Sequence, residues 1–599
     1  MIREIETQAC AALAGTAVDD MERNAREHPS QVGFSIRGDG VWEPVTYAGF
    51  AAQVEALARG MIAAGIGIGD RVALMSRNRF EWTLCDYALW SIGAVVVPVY
   101  ETSSAEQTEW ILTDSGAVAV IVELQRHQDL VDSVRARCGV VHVWSIENGD
   151  LAALVEAGRP TTDDELRERR DAVDPAAVAT LVYTSGTTGR PKGCPLTHAN
   201  LAAQYRNTTA APGIPDIFND RSSTLLFLPL AHVLARVIQL SCVSARVHIG
   251  YTPDTAQLAQ DLLSFRPTLL LAVPRVFEKL YNTAARSAHE AGPVQNAIFT
   301  LAERAAVRYS EQIDAGSPSP LLRAEHGLYD RLVYAKIRAA LGGRMRWSVS
   351  GGAPLGARLG HFFRGSGITV LEGYGLTETS AAGTLNLPAS QRVGSVGPPV
   401  PGGSIRIAED GEILLRGDFV FSGYWGVDDP EILDDEGWLH SGDLGQIDAG
   451  GFVTVTGRKK ELIVTAGGKN VAPTALEDRI RAHWLVSQCL VVGDRRPFIA
   501  CLITLDATAF AAWRAEHGLT DVTAAEALAD ERLHHEIQVA VDEANAAVSK
   551  AESIRAFTIL DGDFTEAAGQ LTATLKLKRN VLADQFGTEI EALYAAPRT

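Results

Sequence analysis

From Tyr183 to Gly193 the chain reads Tyr-Thr-Ser-Gly-Thr-Thr-Gly-Arg-Pro-Lys-Gly, directly after the strand-like run Val178-Ala179-Thr180-Leu181-Val182. Glycine lets backbone approach a ligand closely and adopt positive φ. The N–H groups and hydroxyls of Thr184, Ser185, Gly186, Thr187, Thr188 and Gly189 can then surround an anion, with Lys192 as a point charge. The chemistry is that of a phosphate cradle. It is not the P-loop pattern G-x-x-x-x-G-K-[ST], because Gly193 follows Lys192 and the glycine spacing differs. A plain surface loop has no need of so dense a set of hydroxyls, glycines and lysine after a buried strand.

Three other stretches carry residues suited to a nucleotide, and a fourth holds a histidine in an apolar run. Tyr374, between Gly373 and Gly375, offers a ring for a purine to stack on. Glu378, flanked by Thr377 and Thr379, is a hard oxygen donor of the kind Mg²⁺ takes while bridging to phosphate. The same stretch also reads as a turn capped by threonine. Upstream, Ser350-Gly351-Gly352-Ala353-Pro354-Leu355 follows a strand-like run from Met345 to Val349, and its small side chains let a flat ring lie against backbone. Asp443 ends Trp438-Leu439-His440-Ser441-Gly442-Asp443, where a carboxylate can accept from two vicinal hydroxyls such as those of a ribose. Standing alone it is an ordinary turn aspartate. His232 lies in the apolar run Leu228-Pro229-Leu230-Ala231-His232-Val233, where a packed core histidine is the default.

In order, and over most of the chain, these segments resemble the adenylate-forming (acyl-activating) superfamily of acyl-CoA synthetases, luciferases and peptide-synthetase adenylation domains. The likeness is greatest to bacterial long-chain fatty acid–CoA ligases. The resemblance implies three substrates: ATP, a fatty acid and coenzyme A. It implies that the 184–193 loop cradles the β- and γ-phosphates, and that Gly352, Ala353, Pro354, Glu372, Gly373, Tyr374, Gly375 and Thr377 form the nucleotide side. Glu378 would hold Mg²⁺ with Thr184. Asp443 would bind the ribose with Arg458 as its partner, and Lys460 would be the hinge. Gly467 and Gly468, in Thr465-Ala466-Gly467-Gly468-Lys469-Asn470, would line the pantetheine channel. Lys576 would be the adenylation lysine, with Lys578 as the alternative, and His232 would face the carboxylate. Two residues depart from the pattern: Leu575 replaces the usual glycine before the lysine, and Arg236 stands where some fatty-acid members have a tryptophan gate. Rival readings are a fatty acyl-AMP ligase serving a carrier protein, an assembly-line adenylation module, and an inactive nucleotide-binding scaffold. The 465–470 loop favours coenzyme A over the carrier protein. No carrier-protein domain is expected.

The elements that must position these residues follow from the hydrophobic pattern. Val72–Met75, Ala94–Val99 and Val118–Val122 read as buried strands, with helices over Phe80–Trp90 and Ala105–Thr113 between them. Such alternation predicts an α/β fold with parallel sheets covered by helices. Residues 156–175 read as a charged surface stretch, and 295–341 as helical, broken at 315–320 by Gly, Ser and Pro. After Val393 short runs between glycines and prolines predict hairpins, and beyond Gly457 a compact α+β pattern follows. The expected division is a large N-terminal domain with a β subdomain, residues 1–457, and a small mobile α+β domain, 458–599. The chain's 599 residues carry a formal charge of −19, which excludes a nucleic-acid partner. Seven scattered cysteines without a C-x-x-C pair exclude a disulfide framework and a zinc site. Acids at Glu4 and Glu6 do not suit a signal peptide, and no apolar run is long enough to span a bilayer. The expected location is the cytoplasm, with no more than peripheral contact at the inner membrane face.

Overall fold

The computed structural model of the chain describes residues 3–11, 15–38, 40–184, 190–427, 429–572 and 576–595. Two large sheets hold most of the site. In the first, the strands His142–Ser145, Ala119–Val122, Arg71–Met75, Val95–Val99 and Val178–Thr184 run parallel, and Lys192–Thr197 closes the edge antiparallel to the last. In the second, Thr369–Tyr374, Trp347–Ser350, Leu269–Ala272, Ser223–Leu226, His248–Tyr251 and Val32–Arg37 are parallel, with short antiparallel strands at both edges. All five residues of Val95–Val99 are buried, as expected of a strand covered on both faces.

The helix Phe80–Ser91 explains how the two sheets share one core. Every residue in it except Glu81 is buried, and Trp82, Tyr87 and Trp90 join a cluster that includes Val72 and Val96 of the first sheet and Phe34 and Ile249 of the second. A helix that is apolar on all sides must be enclosed. Its one buried charge, Asp86, meets Arg236 of the helix Val233–Ala245 at 2.8 Å. The guanidinium also donates to Thr180 and lies over the Trp90 ring. Burial raises the Asp86 carboxyl to about 6 even with the arginine beside it. Arg236 is therefore a core residue held by a carboxylate, and the position expected for a gate is occupied by this ion pair.

A third, antiparallel sheet runs from Glu4–Glu6 through Gly403–Ile407, Glu412–Gly417 and Leu439–Ile447 to Val453–Arg458. These are the hairpins expected after Val393. The charged stretch 156–175 contains a capped helix, Asp163–Asp171, which buries only Leu166. The helical region divides into Pro293–Asp314 and Pro320–Tyr329, then a π-helical turn and Ala335–Ala340, with the break where Gly316, Pro318 and Pro320 lie. Past the third sheet, Val486–Val492, Ile499–Leu505 and Ile554–Ile559 form a small sheet against helices that include Pro473–Arg481 and Glu531–Asn545. Buried clusters here draw only on residues from Ile463 onward, whereas the other clusters end at Val455. Six of the seven cysteines are buried and all are free, and no helix among the described residues is long and apolar enough to cross a membrane.

The Asp86–Arg236 pair gives a stability test. Arg236→Ala leaves a buried carboxylate without its counter-charge and should cost about 3–5 kcal/mol, read as a lower urea midpoint. The double variant Asp86→Leu with Arg236→Met should recover most of that loss. Equal losses in single and double variants would show that packing, not charge pairing, is what the site supplies.

Candidate active site

The phosphate-loop residues Ser185, Gly186, Thr187, Thr188 and Gly189 lie outside the described residues, but the strands that carry the loop are clear. Thr184 pairs with Lys192 across the Val178–Thr184/Lys192–Thr197 hairpin. Pro191 is held by an indole hydrogen bond from Trp110 to its carbonyl, 2.9 Å, and Arg190 lies over the Trp110 ring. Lys192 Nζ lies over the Tyr424 ring and 3.0 Å from Asp429 Oδ2. Tyr424 Oη donates to Glu378 Oε1 at 2.5 Å. Burial and the neighbouring Glu378 carboxylate raise the Tyr424 phenol well above its usual range, so the proton stays on the tyrosine. Glu378 is thereby linked through one ring to the lysine of the phosphate hairpin.

The turn that presents Glu378 is strained. Ser380 and Ala381 sit at φ 49° and 100°, where residues with side chains rarely go. Thr379 Oγ1 accepts from Leu376 N at 2.9 Å, and Ser380 Oγ donates to Phe419 O at 2.8 Å. Thr379 is thus the capping threonine, and Glu378 is left to point toward Tyr424. Gly375 is required on steric grounds: a Cβ there would lie 1.9 Å from Ala381 O. Glu378 Oε2 has no partner among the described residues, so the carboxylate suits a hard divalent cation that keeps some of its waters.

Gly352, Ala353 and Pro354 are exposed in the loop between Trp347–Ser350 and helix Ala357–Gly365. Beneath them Glu372, paired in register with Ser350, accepts from Leu355 N at 3.1 Å. Burial raises Glu372 to about 7 against the pull of the Leu355 and Gly394 amides. Its carboxyl therefore fixes the loop that would carry the base. Gly373 and Tyr374 end the same strand, and Tyr374 Oη donates to Asp443 Oδ2 at 2.8 Å. Arg458, the cross-strand partner of Asp443, donates to Oδ1 at 2.7 Å. A carboxylate has about four lone-pair sites, so two diol hydroxyls can still be accepted. Thr377 opens the turn that contains Glu378.

The charge of Lys576 interacts with several of these groups. Thr572 and Lys576 bond each other through Thr572 N to Lys576 O, 2.9 Å, and Lys576 N to Thr572 Oγ1, 3.1 Å. Arg579, paired with Glu477 at 2.5 Å and Glu461 at 3.2 Å, anchors the segment just after it. The Lys576 side chain is exposed as a whole, while protein around its ammonium desolvates it. Desolvation and Arg458 lower its pKa, while Asp443, Glu461 and Glu378 pull the other way. His232 caps helix Val233–Ala245 by accepting from Leu234 N on Nδ1 at 3.2 Å. With Nδ1 an acceptor, a neutral ring carries its proton on Nε2. Burial, then the Lys576 charge, pushes His232 down to about 4. Lys578 instead begins the helix Arg579–Gln585, its N–H bonded to Gln570 O.

Lys460 and the glycine pair stand apart from this cluster. Lys460 is exposed in a one-turn helix, Lys459–Glu461, and takes no ion-pair partner among the described residues. Its neighbour Lys459 is tied to Asp410 and Glu412 at 2.6 and 3.0 Å. Gly467 and Gly468 form the exposed turn of the hairpin Ile463–Val464/Asn470–Val471, with Gly468 at φ 77°. That turn bonds to Arg496 O through Ala466 N. Tyr424, Asp429 and Arg579 were not singled out from the sequence. Each works through a partner at least 46 residues away, and no local pattern marks such a contact.

The fold and the segments agree with known enzymes. The AMP-binding enzyme family matches residues 21–425, and its C-terminal domain matches 460–598. The chain belongs to the AMP-binding, adenylate-forming enzyme family. It is 50% identical over 576 residues to the long-chain-fatty-acid–CoA ligase FadD15 of Mycobacterium tuberculosis, covering 95% of each chain. It is 29% identical to the human long-chain-fatty-acid–CoA ligase ACSBG1, covering 92% of this chain and 82% of that one. Among solved structures, the adenylation domain of a carboxylate reductase from Mycobacterium chelonae superposes with a TM-score of 0.74 at 22% identity, covering 98% and 92%. An anthranilate CoA ligase in complex with anthranoyl-AMP gives 0.72 at 19%, covering 96% and 98%. At those identities the structures speak for the fold alone.

His232 should be neutral throughout the physiological range. Its ring signals in ¹⁵N NMR should titrate with a midpoint near 4, as burial sets it, and the lower-field shift should disappear in His232→Gln. A midpoint near the free value of about 6.5 would mean that the ring is open to water.

Proposed function

We propose that this enzyme uses ATP to activate a long-chain fatty acid and then forms its coenzyme A thioester. A carboxylate oxygen attacks the α-phosphorus, the bond to the bridging oxygen breaks, and pyrophosphate leaves with the electron pair. The thiol of coenzyme A then attacks the acyl carbon and expels AMP. No protein nucleophile is required, so catalysis falls to positioning and charge neutralisation. The observation that carries this reading is the Asp443 carboxylate held by Tyr374 Oη at 2.8 Å and Arg458 at 2.7 Å, with Asp443, Glu461 and Glu378 drawing the Lys576 charge that also acts on His232.

In this assignment Lys576 neutralises charge between the carboxylate and the α-phosphate, and His232 Nε2–H orients the carboxylate. The 184–193 loop with Lys192 holds the outer phosphates, and Tyr374, Gly373 and the 352–354 loop flank the base. Asp443 and Arg458 take the ribose. Glu378, with Thr184, would hold Mg²⁺, whose positive charge offsets that of the phosphates. The close likeness to ligases of long-chain acids supports the substrate class, and transfer to coenzyme A rather than to a carrier protein follows the same relatives.

The test separates the half-reactions. Lys576→Ala should lower acid-dependent ATP–pyrophosphate exchange by roughly a hundredfold or more. Thioester formation from supplied acyl-adenylate should stay within about threefold. Equal losses in both would remove Lys576 from the first step, and activity confined to short acids would overturn the substrate class.

The two-step scheme also calls for a moving small domain. We place the division at 1–457 and 458–599, with the hinge near Lys460. Lys459 and Arg458 are anchored to the third sheet, Lys460 is unpaired among the described residues, and the buried clusters divide on either side of it. Gly467 and Gly468 would meet pantetheine after rotation. Lys460→Pro, which fixes φ near −65°, should slow the thioester step by about tenfold or more while leaving pyrophosphate exchange nearly unchanged. Equal effects on both steps, or none, would move the hinge elsewhere.

A further inference from the structure

The helices Pro293–Asp314 and Pro320–Tyr329, with the π-helical turn that follows, form an antiparallel pair on the outside of the second sheet. Their alignment is fixed by three contacts: Arg308 with Glu325 at 2.7 Å, Tyr309 stacked on His326, and Tyr334 Oη donating to Ala302 O at 2.6 Å. The inner face packs Phe299, Ala302, Val333 and Tyr334 into a buried cluster. The outer face is also apolar. Leu321 is 81% exposed, Leu328 57%, Leu301 48% and Leu332 41%. Six of the thirteen large hydrophobic side chains exposed on the described residues fall between Val294 and Leu332. A surface helix ordinarily turns a polar face to water, so apolar side chains on both faces call for a second partner.

The charge around this face identifies that partner. Residues 293–346 carry eight arginines and lysines against five acids in a chain of net charge −19. Four of these acids are already paired, Glu303 with Arg358, Asp314 with Arg364, Glu325 with Arg308 and Asp330 with Arg338. Arg331, Lys336 and Arg344 are exposed and take no ion-pair partner among the described residues. Arg304 lies one turn along from Leu301 on the same outer stripe, and Arg331 lies beside Leu328 and Leu332. Leucines set among long cationic side chains match a surface with an acyl phase below and phosphates above, into which arginine stems can snorkel. A second copy fits less well: a twofold contact through this patch would set its arginines against one another.

We propose that this helix pair docks the enzyme on an anionic phospholipid bilayer, Leu301, Leu321, Leu328 and Leu332 entering the headgroup–acyl boundary and Arg304 and Arg331 meeting lipid phosphates. The inference rests on reading the substrate as a long-chain acid, which partitions into such a bilayer; the patch would set the enzyme where that acid is concentrated. Unlike the adenylation site, it uses no residue placed in catalysis.

The full-length enzyme should co-sediment with vesicles of phosphatidylglycerol and phosphatidylcholine, and much less with phosphatidylcholine alone or at high salt. Leu321→Glu with Leu328→Glu should lower binding by about tenfold or more, and Arg304→Ala with Arg331→Ala should do so by about tenfold for anionic vesicles only. Both pairs of changes lie at exposed positions, so melting temperature and turnover of a soluble short acid should hold. No sedimentation of the wild type, equal binding to both vesicle types, or unchanged binding by the leucine variants would overturn the proposal. So would a dimer, seen by light scattering, that the leucine variants dissociate without any lipid binding. Loss of lipid binding with intact turnover of the soluble acid separates this inference from the catalytic reading.

Discussion

Burial and the nearby Arg458 disfavour the charge on the Lys576 ammonium, while Asp443, Glu461 and Glu378 favour it. Those four residues come from strands and turns of the large sheets and from the edge of the small unit. None holds the lysine by a direct ion pair. A cation kept in reach of several carboxylates without being bound to one can move onto a developing negative charge at little reorganisation cost. The same field reaches His232 and helps to keep its ring neutral, which makes the ring a hydrogen-bond donor rather than a second cation beside the lysine.

Rigid backbone is what makes this arrangement possible. Asp443 and Arg458 face each other across two antiparallel strands, and Tyr374 reaches the same carboxylate from the end of a parallel strand in another sheet. Glu378 leaves its strand through a turn that accepts backbone strain at Ser380 and Ala381, which hydrogen bonds from Thr379 and Ser380 hold in place. Strain of that kind persists where surrounding contacts over-determine it. The helix Phe80–Ser91, buried but for Glu81, sets the two sheets at their separation, and its Asp86–Arg236 pair fixes the helix capped by His232. Core packing and site geometry are thus one structure.

The orientation of the small unit follows from a few polar contacts rather than from a continuous core. Thr102 donates to Glu566, Arg275 to Ser487 Oγ and Arg358 to Ala482 O. Contacts of this kind are replaceable by water, so the unit can turn without exposing much apolar surface. The helix pair 293–340 carries the opposite signature: it is firmly packed on its inner face and apolar on its outer one. A small unit held by few polar contacts on one side and an apolar, basic face on another suit an enzyme that exchanges a water-soluble nucleotide and a poorly soluble acid.

Much of this was legible in the linear order of residues. The glycine- and hydroxyl-rich stretch before Lys192, the Gly-Tyr-Gly run, Glu378 and Asp443 stand out because glycine, hydroxyl and carboxylate chemistry is concentrated in short segments, and buried parallel strands announce themselves by unbroken valine runs. Three things were not legible. Arg236 has the spacing of a pocket-wall residue, yet it is buried because Asp86, 150 positions earlier, supplies its counter-charge. Tyr424 and Arg579 act through distant partners such as Glu378 and Glu477, and leucines 301, 321, 328 and 332 look like ordinary core positions until the helices are docked. Local chemistry and periodicity are properties of neighbours in the chain and can be read there; charge pairing, strain and the choice of which apolar face meets water depend on distances between segments, which only the folded chain sets.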